Sequence, residues 1–209
     1  MKTKILILLL LIVRVSYSQE NNNSYKDYMK TVTFNIGGGV LIPQDGLKEY
    51  FGVSPLLELS AKFPLKNKKS LVVAMQFVIP TQKEEFVYIR TIDTVSAKAT
   101  FMFNPMVKFK KSILNSDVHN LNLGLGIGAS IIHTNARNPF YDGNNEKSKK
   151  YEMITSILVS PELEYVRKFS NNDELSIVFG VQYSPYKIEG ALREDIGSIF
   201  FVPKITYKF

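Results

Sequence analysis

The chain has 209 residues, with 26 Lys and Arg against 19 Asp and Glu, two His, and neither Cys nor Trp. The absence of cysteine excludes disulfides, a thiolate nucleophile, Cys-ligated zinc and iron–sulfur centres. The positive balance is mild and carries no basic block interleaved with aromatics, which argues against nucleic acid as a partner.

Residues 1–18 read as a signal peptide. "MKTK" is a basic start, Ile5 to Val13 is an apolar run too short to span a membrane as a helix, and Ser16 and Ser18 are the small residues of a cleavage site before Gln19. With Lys2, Lys4 and Arg14 removed, 23 basic residues face 19 acidic ones. Residues 19–30, "QENNNSYKDYMK", are a polar lead-in expected to be disordered.

From Thr31 onward the hydrophobic period is two. Eight strands are predicted: Thr31–Pro43, Ser54–Pro64, Ser70–Pro80, Thr100–Lys111, Asn120–His133, Thr155–Phe169, Glu174–Tyr186 and Ser198–Phe209. Their connections alternate between long and short, as in an outer-membrane barrel with short periplasmic turns and long extracellular loops. The predicted fold is therefore all-β, an eight-stranded antiparallel up-and-down transmembrane barrel over residues 31–209. In the first long connection "GLKEYFG", Gly46 to Gly52, reads as a short amphipathic turn. In the second, "FVYI", Phe86 to Ile89, reads either as an exposed apolar patch or as part of a hairpin rising above the membrane.

One face of the strands is apolar: Phe101, Phe103, Val107 and Phe109; Leu121, Leu123, Leu125, Ile127 and Ile131; Leu175, Ile177, Phe179, Val181 and Tyr183; Ile199, Phe201, Ile205, Tyr207 and Phe209. The other carries Gly, Ser, Asn and charged residues. An eight-stranded barrel has an interior only just filled by side chains, so the bulky face is expected outward and the small and polar face inward. A lysine turned toward lipid would cost roughly 2–4 kcal/mol near the midplane. The expected interior charges are Glu58, Lys62, Lys108, Glu162, Glu164 and Lys204, paired acid to base so that the bore is closed to solutes. Phe63, Phe109, Tyr165, Phe169, Tyr207 and Phe209 fit a periplasmic aromatic girdle, and Tyr183 and Tyr186 an outer one.

The downward strands repeat a unit: "SPLLELSAKF", "NPMVKFKK", "SPELEYVRKF" and "VPKITYKF", with Pro55, Pro105, Pro161 and Pro203 at equivalent places. Proline removes a ladder donor, so these residues are expected at bulges or toward the outer rim. At "SPELEYVRKF" and "VPKITYKF" the chain resembles the PorT-like outer-membrane β-barrel family. The resemblance implies an outer-membrane barrel. The namesake's role in type IX secretion rests on no residue found here. Ile205, Tyr207 and Phe209 resemble the terminal-strand signal read by the barrel-assembly machinery, which with outer-membrane lipid is the expected partner.

No residue reads as catalytic, cofactor-binding or metal-ligating. His119 falls in a predicted turn. His133 ends a strand on the lipid-facing parity, and Ser130, three residues away, lies on the opposite face, against Ser–His chemistry. Gly124, Gly126 and Gly128 share one strand face and precede no helix, so they make room inside the barrel instead of cradling phosphate. Asp142, Asn144, Asn145 and Glu146 stand in a loop without a calcium-binding pattern. The favoured function is a structural or loop-mediated interaction role in the bacterial outer membrane. The alternatives are an enzyme acting on outer-leaflet lipid and a soluble periplasmic ligand-binding barrel.

Overall fold

A computed structural model describes residues 32–89, 94–137, 151–169, 173–188 and 191–208. Eight strands close a barrel: β1 (Thr33–Pro43), β2 (Ser54–Leu65), β3 (Lys69–Val78), β6 (Ala99–Asn115), β7 (His119–Arg137), β8 (Tyr151–Lys168), β9 (Glu174–Lys187) and β10 (Asp195–Lys208). Each pairs antiparallel with its neighbours, and β1 pairs with β10 to complete the ring. A two-stranded hairpin, β4 (Phe86–Ile89) with β5 (Thr94–Ala97), sits in the connection between β3 and β6. A four-residue helix, α1 (Leu47–Tyr50), occupies the connection after β1. The signal peptide, the lead-in, most of the 138–152 loop and Phe209 lie outside the described residues.

Period-two patterning fixes which side chains point where. Leu123, Leu125, Ile127, Ile157, Phe179, Phe201 and Ile205 are exposed on the outer wall, while Glu58, Gln76, Asn104, Lys108, Glu162, Gln182 and Lys204 are buried in the bore. In water such a surface would be a large apolar patch; in lipid it is the stable arrangement. The fold is that of a transmembrane β-barrel, with every wall strand paired on both sides so that no edge faces hydrocarbon.

The strands on one side outrun the sequence pattern. β6, β7 and β8 have 17, 19 and 18 residues, against 10 to 12 in β1 to β3. "SILN", expected as loop, continues β6 through a register shift between Ser112 and Leu114. The shift turns Leu114 outward opposite Leu121, so the parity break that ends the pattern in sequence is absorbed by a bulge.

Pro55, the second residue of β2, stands at the long-loop rim as expected, but the other three prolines do not, and no bulge accompanies them. The ladder loses its pairs between Phe103↔Ile131 and Met106↔Gly128, between Val159↔Tyr183 and Glu162↔Gly180, and between Ile42↔Phe201 and Gly39↔Lys204. Pro105, Pro161 and Pro203 stand in these gaps, mid-wall, and the register is the same on both sides. Each lacks the N–H that would have bridged toward the next strand.

Candidate functional site

Two structures occupy the bore and its mouth. Toward the end with short turns lies an ion network. Lys108 Nζ is 2.9 Å from Glu58 Oε2 and 3.1 Å from Glu162 Oε2; Lys204 Nζ is 2.5 Å from Glu58 Oε2 and 3.4 Å from Glu162 Oε2. Lys110 Nζ bridges Glu162 Oε1 and Glu164 Oε1, both at 3.0 Å, and Asn122 donates to Glu164 at 2.9 Å. Three carboxylates thus face three ammonium groups, so the cluster is neutral. Desolvating each ion costs several kcal/mol, offset here because every ion has at least one opposite partner within 3.1 Å.

The structure brings together five of the six expected charges: Glu58, Lys108, Glu162, Glu164 and Lys204. Lys62 points the same way and lines a small polar cavity with Glu164 and Lys110, but makes no ion pair with a carboxylate among the described residues. Its expected place is taken by Lys110, which shares the inward parity of Lys108 in "KFKK". Strand parity tells which face a lysine takes; it does not tell which neighbour's carboxylate lies at its height.

Glycines on β7 create the space. A Cβ at Gly124 would lie 2.8 Å from Glu162 Cγ, and one at Gly126 3.2 Å from Lys108 Cγ. From Glu58 a polar chain continues across the bore. Gln76 donates to Glu58 at 2.7 Å, Gln182 donates to Gln76 at 2.7 Å, Ser130 donates to Asn104 at 2.6 Å, and Ser130 meets the Tyr186 hydroxyl at 2.5 Å. Tyr186, expected in the outer girdle, is instead buried in the bore. Its odd spacing from the outward Tyr183 puts it on the inner face. Among the described residues, no group of three His, Asp or Glu side chains is arranged to hold a metal ion.

Above this network an apolar cap closes the long-loop end. Leu47 of α1, Phe51, Phe86 and Tyr88 of β4, Ile188, Ile196 and Phe200 are buried in one cluster. Three connections are tied together by backbone bonds: Gly52 N to Thr81 O at 2.6 Å, Lys83 N to Tyr50 O at 2.8 Å, and Leu192 N to Val87 O at 2.9 Å. Gly197, at φ +107°, lets β10 pass close under α1, where a Cβ would meet the Leu47 amide nitrogen at 2.7 Å. "FVYI" is therefore not an exposed patch: Phe86 and Tyr88 are buried, and Ile89 is exposed. On top of the cap a cavity of about 160 Å³ lies between Tyr50, Phe86, Glu84, Glu85, Leu192 and Arg193. Arg193 pairs with Glu49, and that carboxylate raises the arginine pKa further above its ordinary range.

The histidines are at opposite ends. His119 opens β7, and its Nδ1 is 2.6 Å from the Tyr165 hydroxyl with the rings stacked at 5.7 Å, so it is a girdle residue and not merely a solvated turn. His133 lies on the outer wall beside Phe101, while Ser130 is inside, bonded to Asn104 and Tyr186. The two side chains lie on opposite faces of β7. Phe63, Phe109, Tyr165, Phe169 and Tyr207 ring the short-turn end, and Ile205 and Tyr207 face outward on β10.

No family model and no curated protein matches the chain. Its fold is similar to the crystal structure of Neisserial surface protein A, NspA, at 9% identity and a TM-score of 0.55, covering 85% of this chain and 96% of that one. Ail, the attachment invasion locus protein of Yersinia pestis, aligns at 10% identity and a TM-score of 0.46, over 85% of this chain and 97% of that one. At 9% identity the likeness to NspA concerns the barrel fold, reached with different side chains.

Proposed function

We propose that this protein is a small barrel of the bacterial outer membrane, closed to solutes, that holds a rigid loop cap at the cell surface for recognition. The observation that carries the reading is the double closure of the bore: a neutral ion network below and an apolar cap above. A conducting barrel needs a continuous wet path, and a barrel built for conduction has no use for a buried aromatic lid. The loop cavity between Tyr50, Phe86 and Arg193 is the feature most suited to meeting a partner. The name of NspA, a surface protein, agrees with this placement.

Export by residues 1–18 and assembly through β10, whose Ile205 and Tyr207 face outward, belong to the same reading. The Pro-led repeat supports kinship with PorT-like barrels. The test combines cell fractionation with planar-bilayer recording. Detergent-dependent extraction with a heat-modifiable gel shift, and silence in the bilayer, are expected. Recovery of the folded chain as a soluble periplasmic protein, or reproducible large single-channel steps from pure monomer, would overturn the reading.

A further inference from the structure

We propose that the short-turn end of the barrel carries a binding site for the headgroup of an anionic membrane phospholipid, formed by Lys66, Lys68, Lys69 and Lys111. The inference rests on the membrane placement argued above and on four observations.

Register puts Lys69 of β3 directly opposite Lys111 of β6, on the outward face shared by their neighbours Leu71 and Phe109. Like charges at directly opposed positions repel and weaken a sheet. The turn adds two more cations, the exposed Lys66 and Lys68. Asn67 and Lys68 take positive φ, and the Lys68 carbonyl accepts from Ser112 N at 2.9 Å, which ties the turn to β6 beside Lys111. None of these four lysines makes an ion pair with a carboxylate among the described residues. The same strand shows the contrast. Lys108 and Lys110 turn inward and are each held by two glutamates.

The position of the cluster selects its occupant. Lys69 Nζ lies 6.0 Å from the centre of the Phe109 ring, and Phe109, Leu71 and Leu65 are exposed at the margin of the apolar belt. A cation held over a girdle aromatic sits at headgroup height. An anion bound there has hydrocarbon on one side and water on the other. That boundary suits a phospholipid phosphate whose acyl chains run along Leu71 and Phe109, and a clustered set of lysines at a membrane edge attracts such lipids. The anion would also relieve the Lys69–Lys111 repulsion.

The experiment uses the full folded chain in vesicles of phosphatidylethanolamine mixed with phosphatidylglycerol. The lipids that remain bound after mild detergent extraction are then counted by native mass spectrometry. Phosphatidylglycerol should be retained well above its share in the vesicle. Neutralisation should reduce that enrichment roughly five-fold per lysine, as in Lys69→Gln and Lys111→Gln and in the variant with all four lysines replaced by Gln. The four-fold Lys→Arg variant should keep it. Loss of heat modifiability in a Gln variant is controlled by the Arg variant, which has the same four positions changed. Equal enrichment in the parent and the folded Gln variants would overturn the proposal. So would binding of soluble polyphosphate to the four lysines without phosphatidylglycerol enrichment. Membrane insertion without enrichment would defeat this site alone, whereas failure to insert would defeat the membrane reading itself.

Discussion

Gly124 on β7 stands directly opposite Glu162 on β8, and the glutamate side chain fills the space in which a Cβ at residue 124 would lie, 2.8 Å from its Cγ. The glycine and the buried charge depend on each other. Gly124→Val should push Glu162 away from Lys108 and Lys110 and destabilise the barrel by about 1–3 kcal/mol, the usual range for overpacking. Gly38→Ala is the control. Nothing lies within 4 Å of a Cβ there, so urea unfolding in detergent should show no loss and up to about 0.5–1 kcal/mol of gain.

Glu58 is the shared acceptor of Lys108, Lys204 and Gln76. Glu58→Gln leaves two buried ammonium groups sharing Glu162, and unfolding should be easier by about 3–5 kcal/mol, the range for breaking a buried ion pair. The double variant Glu58→Gln with Lys204→Met removes one of those cations and should recover part of the loss. A double variant no more stable than the single one would show that Lys204 is not coupled to Glu58.

The cap and the wall should yield separately. Phe86 packs on Tyr50 and Phe51, with ring centres 5.4 Å and 5.8 Å away. Phe86→Ala opens a cavity in the cap, far from the ladder hydrogen bonds, so limited proteolysis and amide exchange should accelerate in residues 44–53 and 79–89. The heat-modifiable transition of the barrel should move little. A large shift in that transition would mean that cap and wall unfold together.

Lipid exposure can be measured by depth. Ile127 is exposed on the outer wall in the middle of β7, and Ile113 is exposed near the short-turn end of β6. Ile127→Lys should cost roughly 2–4 kcal/mol in folding into lipid, and Ile113→Lys roughly 0–1 kcal/mol. Equal penalties at both positions would contradict a wall that spans hydrocarbon.

The sequence alone determined the eight wall strands, the alternation of loops and the face that most of their side chains take, from Leu123 outward to Lys204 inward. The physical reason is that a strand's two-residue period is local: any eight residues show it, and the narrowness of an eight-stranded bore decides which face must be inside. The short amphipathic turn at 46–52 was visible for the same local reason.

What only tertiary structure decided is height and closure. Whether Glu164 meets Lys62 or Lys110 depends on the stagger between β2, β6 and β8, which are distant in sequence; Lys110 and Glu164 are 54 positions apart and 3.0 Å from contact atom to contact atom. The extension of β6 past Ser112 and the mid-wall gaps at Pro105, Pro161 and Pro203 follow from pairing registers that no single strand encodes. The cap is the strongest case. Of the two readings of Phe86–Ile89 the hairpin is the one found and the exposed patch is not, because the residues that cover Phe86 come from 47–51 and from Ile188, Ala191 and Ile196, and only closure of the ring brings those segments over the same mouth.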